Sequence, residues 1–160
     1  MFNPPMHIHL FQVETFHVNS GVGRWFLNGE AHVRHPGEDI VIPKGAFHCY
    51  ENASTTGEDL SVSFRLDQQD YVMEERFFRN FFGYLDDVRL SGQTPSLFQL
   101  MLFLYTVDGP LAIPVLGKKS HPISVWVSRF VMVFTGVVIG EWLLGYRKSY
   151  EEYYDSKKSK

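Results

Sequence analysis

The spacing of apolar positions changes near residue 66. Before it, short apolar runs alternate with turn residues, and the pattern predicts strands at about 6–11, 14–19, 23–28, 30–35, 39–43, 46–51 and 59–66. The last is the clearest. Leu60, Val62, Phe64 and Leu66 alternate with Ser61, Ser63 and Arg65, the period-2 pattern of a strand with one buried face. Asn28-Gly29 is a two-residue hairpin signal, because both residues accept positive φ. Pro36-Gly37 and Pro43-Lys44-Gly45 mark further turns. Many short strands joined by tight turns predict a small antiparallel barrel or sandwich.

After residue 66 the period becomes helical. One helix is predicted at about 68–90, stopped by Ser91-Gly92. A second opens at Thr94-Pro95, an N-cap followed by proline at the first helical position, and ends near Asp108-Gly109-Pro110. A third runs from about Ser124 to about Tyr154. The chain therefore divides into a β-barrel domain at 1–66 and a helical extension at 67–160 expected to pack on it. The uninterrupted apolar run of the third helix, Phe130 to Gly140, has 11 residues bracketed by Arg129 and Glu141. A membrane span needs about 20. A packed helix is preferred, and a membrane anchor at 124–146 is the alternative.

Composition narrows the picture. The 160 residues carry a net charge of −3 and no basic stripe, which argues against nucleic acid as a partner. The Lys157, Lys158, Lys160 tail reads as a solvated terminus. Hydrophobic residues at 44% exclude a wholly disordered chain. Cys49 is the single cysteine, so no internal disulfide forms, and a reducing compartment fits. MFNPPMHIHL lacks a basic stretch followed by an apolar one, so a cytoplasmic location is expected and the sequon Asn52-Ala53-Ser54 is idle. Aromatic residues reach 16%, enough for a thick core or a greasy pocket. The stripe Phe77, Phe78, Phe81, Phe82 reads as core.

The candidate chemistry lies in His7, His9, Glu14 and His48. His7 and His9 are two apart, so in a strand both rings leave the same face. Glu14 follows after a short turn, and His48 arrives from a later strand. Three neutral imidazoles and a carboxylate converging inside a barrel suit a divalent transition metal with one or two open positions. If His48 points inward, so does Tyr50. If Glu14 does, Phe16 and Val18 share its face and His17 faces out.

The spacing of these residues resembles the cupin superfamily. The first cupin motif, G-x5-H-x-H-x(3,4)-E-x6-G, is matched from His7 through His9 and Glu14 to Gly21. The second, G-x5-P-x-G-x2-H-x3-N, is matched by Gly37, Pro43, Gly45, His48 and Asn52. The glycines and Pro43 would shape turns that aim His48 inward, and Asn52 would hydrogen-bond backbone at a strand end. The leading glycine of the first motif would fall at Met1, and the strands that usually precede it are missing. The resemblance thus implies a truncated start or an open edge covered by the C-terminal helices or by a partner protomer, and a homodimer is expected.

The second half is similar to cupins of bacteria and fungi with a helical extension, through Pro95-Ser96-Leu97-Phe98 and Leu144 to Tyr150. Those of fungi often accompany genes for secondary metabolites. The resemblance implies a metal-dependent enzyme acting on a small organic, aromatic or polyketide-like molecule, as an oxygenase or oxidoreductase, or as an isomerase or cyclase. Fe(II) is the first choice of metal, with Mn, Ni or Zn as alternatives. His7, His9, Glu14 and His48 would be ligands, Tyr50 a proton donor, and Phe16, Val18 and Tyr50 the pocket wall. The rival readings are a non-catalytic binding barrel and a membrane-attached structural protein. No G-x-S-x-G elbow, P-loop or dinucleotide fingerprint is present.

Overall fold

The computed structural model describes residues 3–68 and 70–155. Six strands come first: β1 (Glu14–Ser20), β2 (Gly23–Leu27), β3 (Glu30–Arg34), β4 (Asp39–Ile42), β5 (His48–Asn52) and β6 (Ser61–Leu66). They form two antiparallel three-stranded sheets, ordered β4-β1-β6 and β3-β2-β5. Alternation sets which side chains meet between them. Phe16 and Val18 of β1 and Ile40 and Ile42 of β4 cluster with Trp25 of β2 and with Ala46, so the two sheets share one core. Tyr50 and Val62 pack against its margin. Trp25 is fully buried, and its ring lies where a side chain on Gly23 would stand; a Cβ there would come within 2.3 Å of it. The strands make the expected antiparallel sandwich, and the helical extension that follows holds more residues than the strands.

Asn28-Gly29 makes the expected β2–β3 hairpin, with φ of 50° and 84°. The stretch expected as a strand at 6–11 is not one. It makes isolated bridges at His7, one to His48 and one to Leu111. Beyond His7 its backbone instead meets the turn before β5, where Gly45 N–H donates to the His9 carbonyl at 2.8 Å. That turn also delays β5, which begins at His48 rather than near residue 46.

The helices are α1 (Tyr71–Leu90), α2 (Leu97–Thr106) and α3 (Pro122–Met132), the last continuing as a π-helical segment, Val133–Leu143. Asp70 caps α1 by accepting from Met73 N–H at 3.0 Å. α2 starts later than Thr94-Pro95 implied. Its N-cap is Ser96, whose own N–H donates to the Tyr84 hydroxyl at 2.8 Å. The third helix stops well short of Tyr154. Gly145 turns to φ 73°, and Tyr146 N–H donates to the Gly140 carbonyl, closing the helix end. Of the Phe77, Phe78, Phe81, Phe82 stripe, Phe82 is exposed and the others are half-buried. From Pro122 to Leu143 the helix is long and apolar enough to cross a membrane by length and composition, with 33% of its apolar window buried.

By compactness the chain forms two units. One holds residues 3–68 with Leu111–Ser128, the other Asp70–Pro110 with 129–155. In the second unit Gly136 presses on the backbone of Met101 and Leu102, where a Cβ would meet backbone atoms at 2.8 Å, so only glycine permits this approach of the π-helical segment to α2.

Candidate metal centre

The site is built from the lead-in segment, β1 and β5. Residues 7 and 48 are joined by a pair of backbone hydrogen bonds, His7 N–H to the His48 carbonyl at 2.9 Å and the reverse at 3.1 Å. Glu14 opens β1, and its side chain is buried with those of Phe16 and Val18. His48 opens β5 and is fully buried. His7, His9, Glu14 and His48 each offer a ligand atom, and the four lie within 4.8 Å of one another. Two bonds of about 2.2 Å across one ion span about 4.4 Å, so shifts of a few tenths of an ångström would close the set around an ion.

Hydrogen bonds aim the rings. His7 Nδ1 faces the Pro5 carbonyl at 2.8 Å and must donate to it, which leaves Nε2 as a lone-pair ligand. His48 Nδ1 donates to the Ala46 carbonyl at 3.0 Å, and its Nε2 lies 3.1 Å from Glu14 Oε2. Ligating imidazoles in metal sites are oriented in this way, by a carbonyl on the far nitrogen. His9 is held less: its Nε2 is 3.5 Å from Glu14 Oε2, and its buried Nδ1 has no hydrogen-bond partner among the described residues.

The electrostatics fit a cation. Burial, then repulsion from His48 and His9, pushes the His7 pKa down to about 3, so its ring is neutral at ordinary pH, as a ligand must be. Burial would push the Glu14 carboxyl up, but hydrogen bonds from His48 and His9, and their charge, outweigh it and hold the pKa at about 2. Glu14 thus stays an anion in a buried setting. Nitrogen donors around one fixed carboxylate form a donor set for a divalent transition metal.

The other singled-out residues fall as follows. Tyr50 is half-buried, meeting Phe16 edge-on (5.2 Å between ring centroids) and stacking on Trp25 (5.6 Å). Burial first, and the Glu14 charge second, push its phenol pKa up. Val18 is fully buried in the shared core. His17 faces solvent and pairs with Asp39 at 2.6 Å, away from the cluster. Gly21, Gly37 and Gly45 take φ of 75°, 86° and 73°, and the turn that holds Gly45 is closed by Ala46 N–H donating to the Pro43 carbonyl at 3.1 Å. Asn52 donates to the Glu58 carbonyl at 2.7 Å and accepts from Ser54 N–H, the strand-end role expected of it. Sequence reasoning missed Trp25, whose place on the Tyr50 side of β2 alternation alone could have given, and it missed Leu111, whose pairing with His7 no local pattern signals.

The sequence model of the cupin domain matches residues 3–75. The "probable oxidoreductase virH" of Hypocrea virens is 35% identical over 94% of this chain and 68% of its own length. The "oxidoreductase iacF" of Pestalotiopsis fici is 33% identical over 78% of this chain and 63% of its own. The "epoxidase atD" of Aspergillus terreus is 31% identical over 94% of this chain and 46% of its own. The chain belongs to the cupin family. It spans between about half and about two thirds of the length of these relatives, and the shared region includes the helical half as well as the strands.

Proposed function

We propose that the protein is a metal-dependent oxidoreductase of the cupin type, acting on a small organic, aromatic or polyketide-like metabolite. The observation that supports this best is the meeting of His7, His9, Glu14 and His48 donor atoms within 4.8 Å. We take all four as ligands of one divalent transition metal, Fe(II) first, with Mn, Ni or Zn as alternatives. Such a metal supplies Lewis acidity and, as Fe(II), reactivity toward dioxygen at the positions the protein leaves open.

The chain's own residues would do the rest. Glu14 offsets part of the cation's charge, and neutral His7 presents Nε2. Tyr50 keeps its phenol proton at neutral pH and lies on the same face of β5 as His48, a place suited to giving that proton to a substrate oxygen. The Phe16 and Tyr50 rings offer an apolar wall that favours an aromatic or apolar substrate and excludes water, and Val18, expected beside them, backs the wall from within the core. An isomerase or cyclase would use the same ligands, with the metal polarising a carbonyl. The redox reading is favoured because the relatives are named oxidoreductase and epoxidase. We place the protein in the cytoplasm and expect a homodimer, which light scattering would test.

Oxygen uptake by Fe(II)-loaded protein, across a panel of phenolic and polyketide-like compounds, tests the reading. We expect uptake with at least one compound, abolished by His48→Ala and slowed by Tyr50→Phe. A folded protein that takes up no stoichiometric metal would discard the enzyme reading.

A further inference from the structure

The edge beside His7 is filled from far along the chain. Leu111 bridges His7 in antiparallel fashion, on the side opposite His48, and Ala112 N–H donates to the Met6 carbonyl at 2.9 Å. The order across this sheet is therefore β3, β2, β5, the His7 segment and then Leu111–Ala112. Neither of the last two stretches is a full strand, so the backbone of His7 is held by its hydrogen-bond pair with His48 on one side and by the Leu111 bridge on the other.

The return segment is itself anchored twice. Ile113 N–H donates to the buried Ser128 hydroxyl at 2.9 Å, and that hydroxyl donates to the Ser124 carbonyl at 2.8 Å. Farther on, Ser120 N–H donates to Asn28 Oδ1 at 3.1 Å. The same oxygen accepts from Phe47 N–H at 3.1 Å, next to His48. One polar atom at the β2–β3 turn thus ties the return segment to the residue preceding a candidate ligand.

We propose that residues 111–113, which follow α2 and lie outside the region matched as a cupin domain, are the strap that positions His7 for metal binding. The proposal rests on the reading of His7 as a ligand. Through Ala112 and Leu111 the strap fixes the backbone of residues 6 and 7, and with it the direction of His7 Nε2. The return segment, which lies within the same compact unit as the strands, is then a working part of the metal centre.

Ala112→Pro removes the donor N–H, whereas Ala112→Gly keeps it. Hydrogen exchange of the His7 and His48 amides in metal-free protein reads the positioning directly. We expect protection lost in Ala112→Pro and kept in Ala112→Gly; equal protection in both overturns the proposal. Co(II) titration followed by visible absorption reads the consequence. Ala112→Pro should weaken Co(II) binding about 10- to 100-fold, the cost of losing a ligand's support. In a His7→Ala background the same substitution should add nothing, and a full additive effect there would show that the strap does not act through His7. Should Ala112→Pro not fold, Ser128→Ala, which loosens the anchor at Ile113, takes its place with a severalfold loss of His7 protection expected and an unchanged rate contradicting it. If wild-type protein takes up no Co(II), the ligand reading fails, and hydrogen exchange alone decides whether the strap holds residue 7.

Discussion

Both compact units bury polar side chains, and they satisfy them in opposite ways. In the helical unit Asn80 and Gln99 are fully buried. Asn80 Nδ2 donates to the Arg76 carbonyl and the Ser149 hydroxyl, and its Oδ1 accepts from Tyr150 N–H. Gln99 Nε2 donates to the Arg147 carbonyl, and its Oε1 accepts from the Tyr150 hydroxyl at 2.7 Å. Every polar atom of the two amides has a neutral partner, and together they clamp the segment after Gly145. In the strand-bearing unit, Glu14 and three imidazoles face one another instead. Burial, then repulsion from His48 and His9, pushes His7 far below its ordinary pKa. A satisfied buried network fixes a structure, whereas a set of donors converging on one point asks for a cation.

The sharpest break of this contrast is His48→Ala. It should weaken metal binding by more than the about 10- to 100-fold that loss of a supporting residue costs. The far-ultraviolet spectrum should keep its native shape. Wild-type metal occupancy in that variant would show that the cluster is not the metal site.

Much of this was legible in the sequence, for a physical reason. Strand alternation, the Asn28-Gly29 turn and the spacing of His7, His9 and Glu14 are local signals, set within a few residues, whereas His48 comes from a later strand and joins them through the resemblance to cupins. Once Glu14 is taken to point inward, period 2 turns Phe16 and Val18 inward and His17 outward, as observed. What could not be read depends on distant partners. Asn80 and Gln99 look like polar surface positions until the chain returns at 147–150. Leu111–Ala112 has no strand pattern of its own and pairs only because His7 offers an edge. The length expected for the third helix missed how firmly Gly145 ends it.

The next largest effect lies in the helical unit. Gln99→Leu strands the Arg147 carbonyl and takes the acceptor from the Tyr150 hydroxyl proton, though that oxygen still accepts from Arg147 N–H, at about 1–3 kcal/mol for each lost partner. A drop of about 2 kcal/mol or more in urea stability is expected, with metal stoichiometry unchanged. Loss of metal with intact stability would reverse the contrast between the units.

Acid should act through the metal cluster. For metal-free protein, folded His7 takes its proton only near pH 3, against 6.5 in the unfolded chain. Between those values the unfolded state binds more protons, so stability falls as pH drops through that window. Glu14, held at about 2 against 4.5, adds a contribution that is full above 4.5 and lost as pH falls through 2. The two slopes have the same sign. Urea midpoints that stay level from pH 6.5 to 3 would contradict this.

The smallest effect is expected at His17. Its pair with Asp39 is exposed on both sides, so His17→Gln should change stability by no more than about 1 kcal/mol and leave metal binding alone. A loss of metal there would mean that the wrong histidine face was chosen.

The central claim, that His7, His9, Glu14 and His48 hold one ion together, is tested most directly by elemental analysis of the wild-type protein and the His48→Ala variant, both purified without added metal. The account predicts one divalent transition metal ion per wild-type chain and a large loss in the variant. Folded wild-type protein without stoichiometric metal, or equal occupancy in the two proteins, would contradict it.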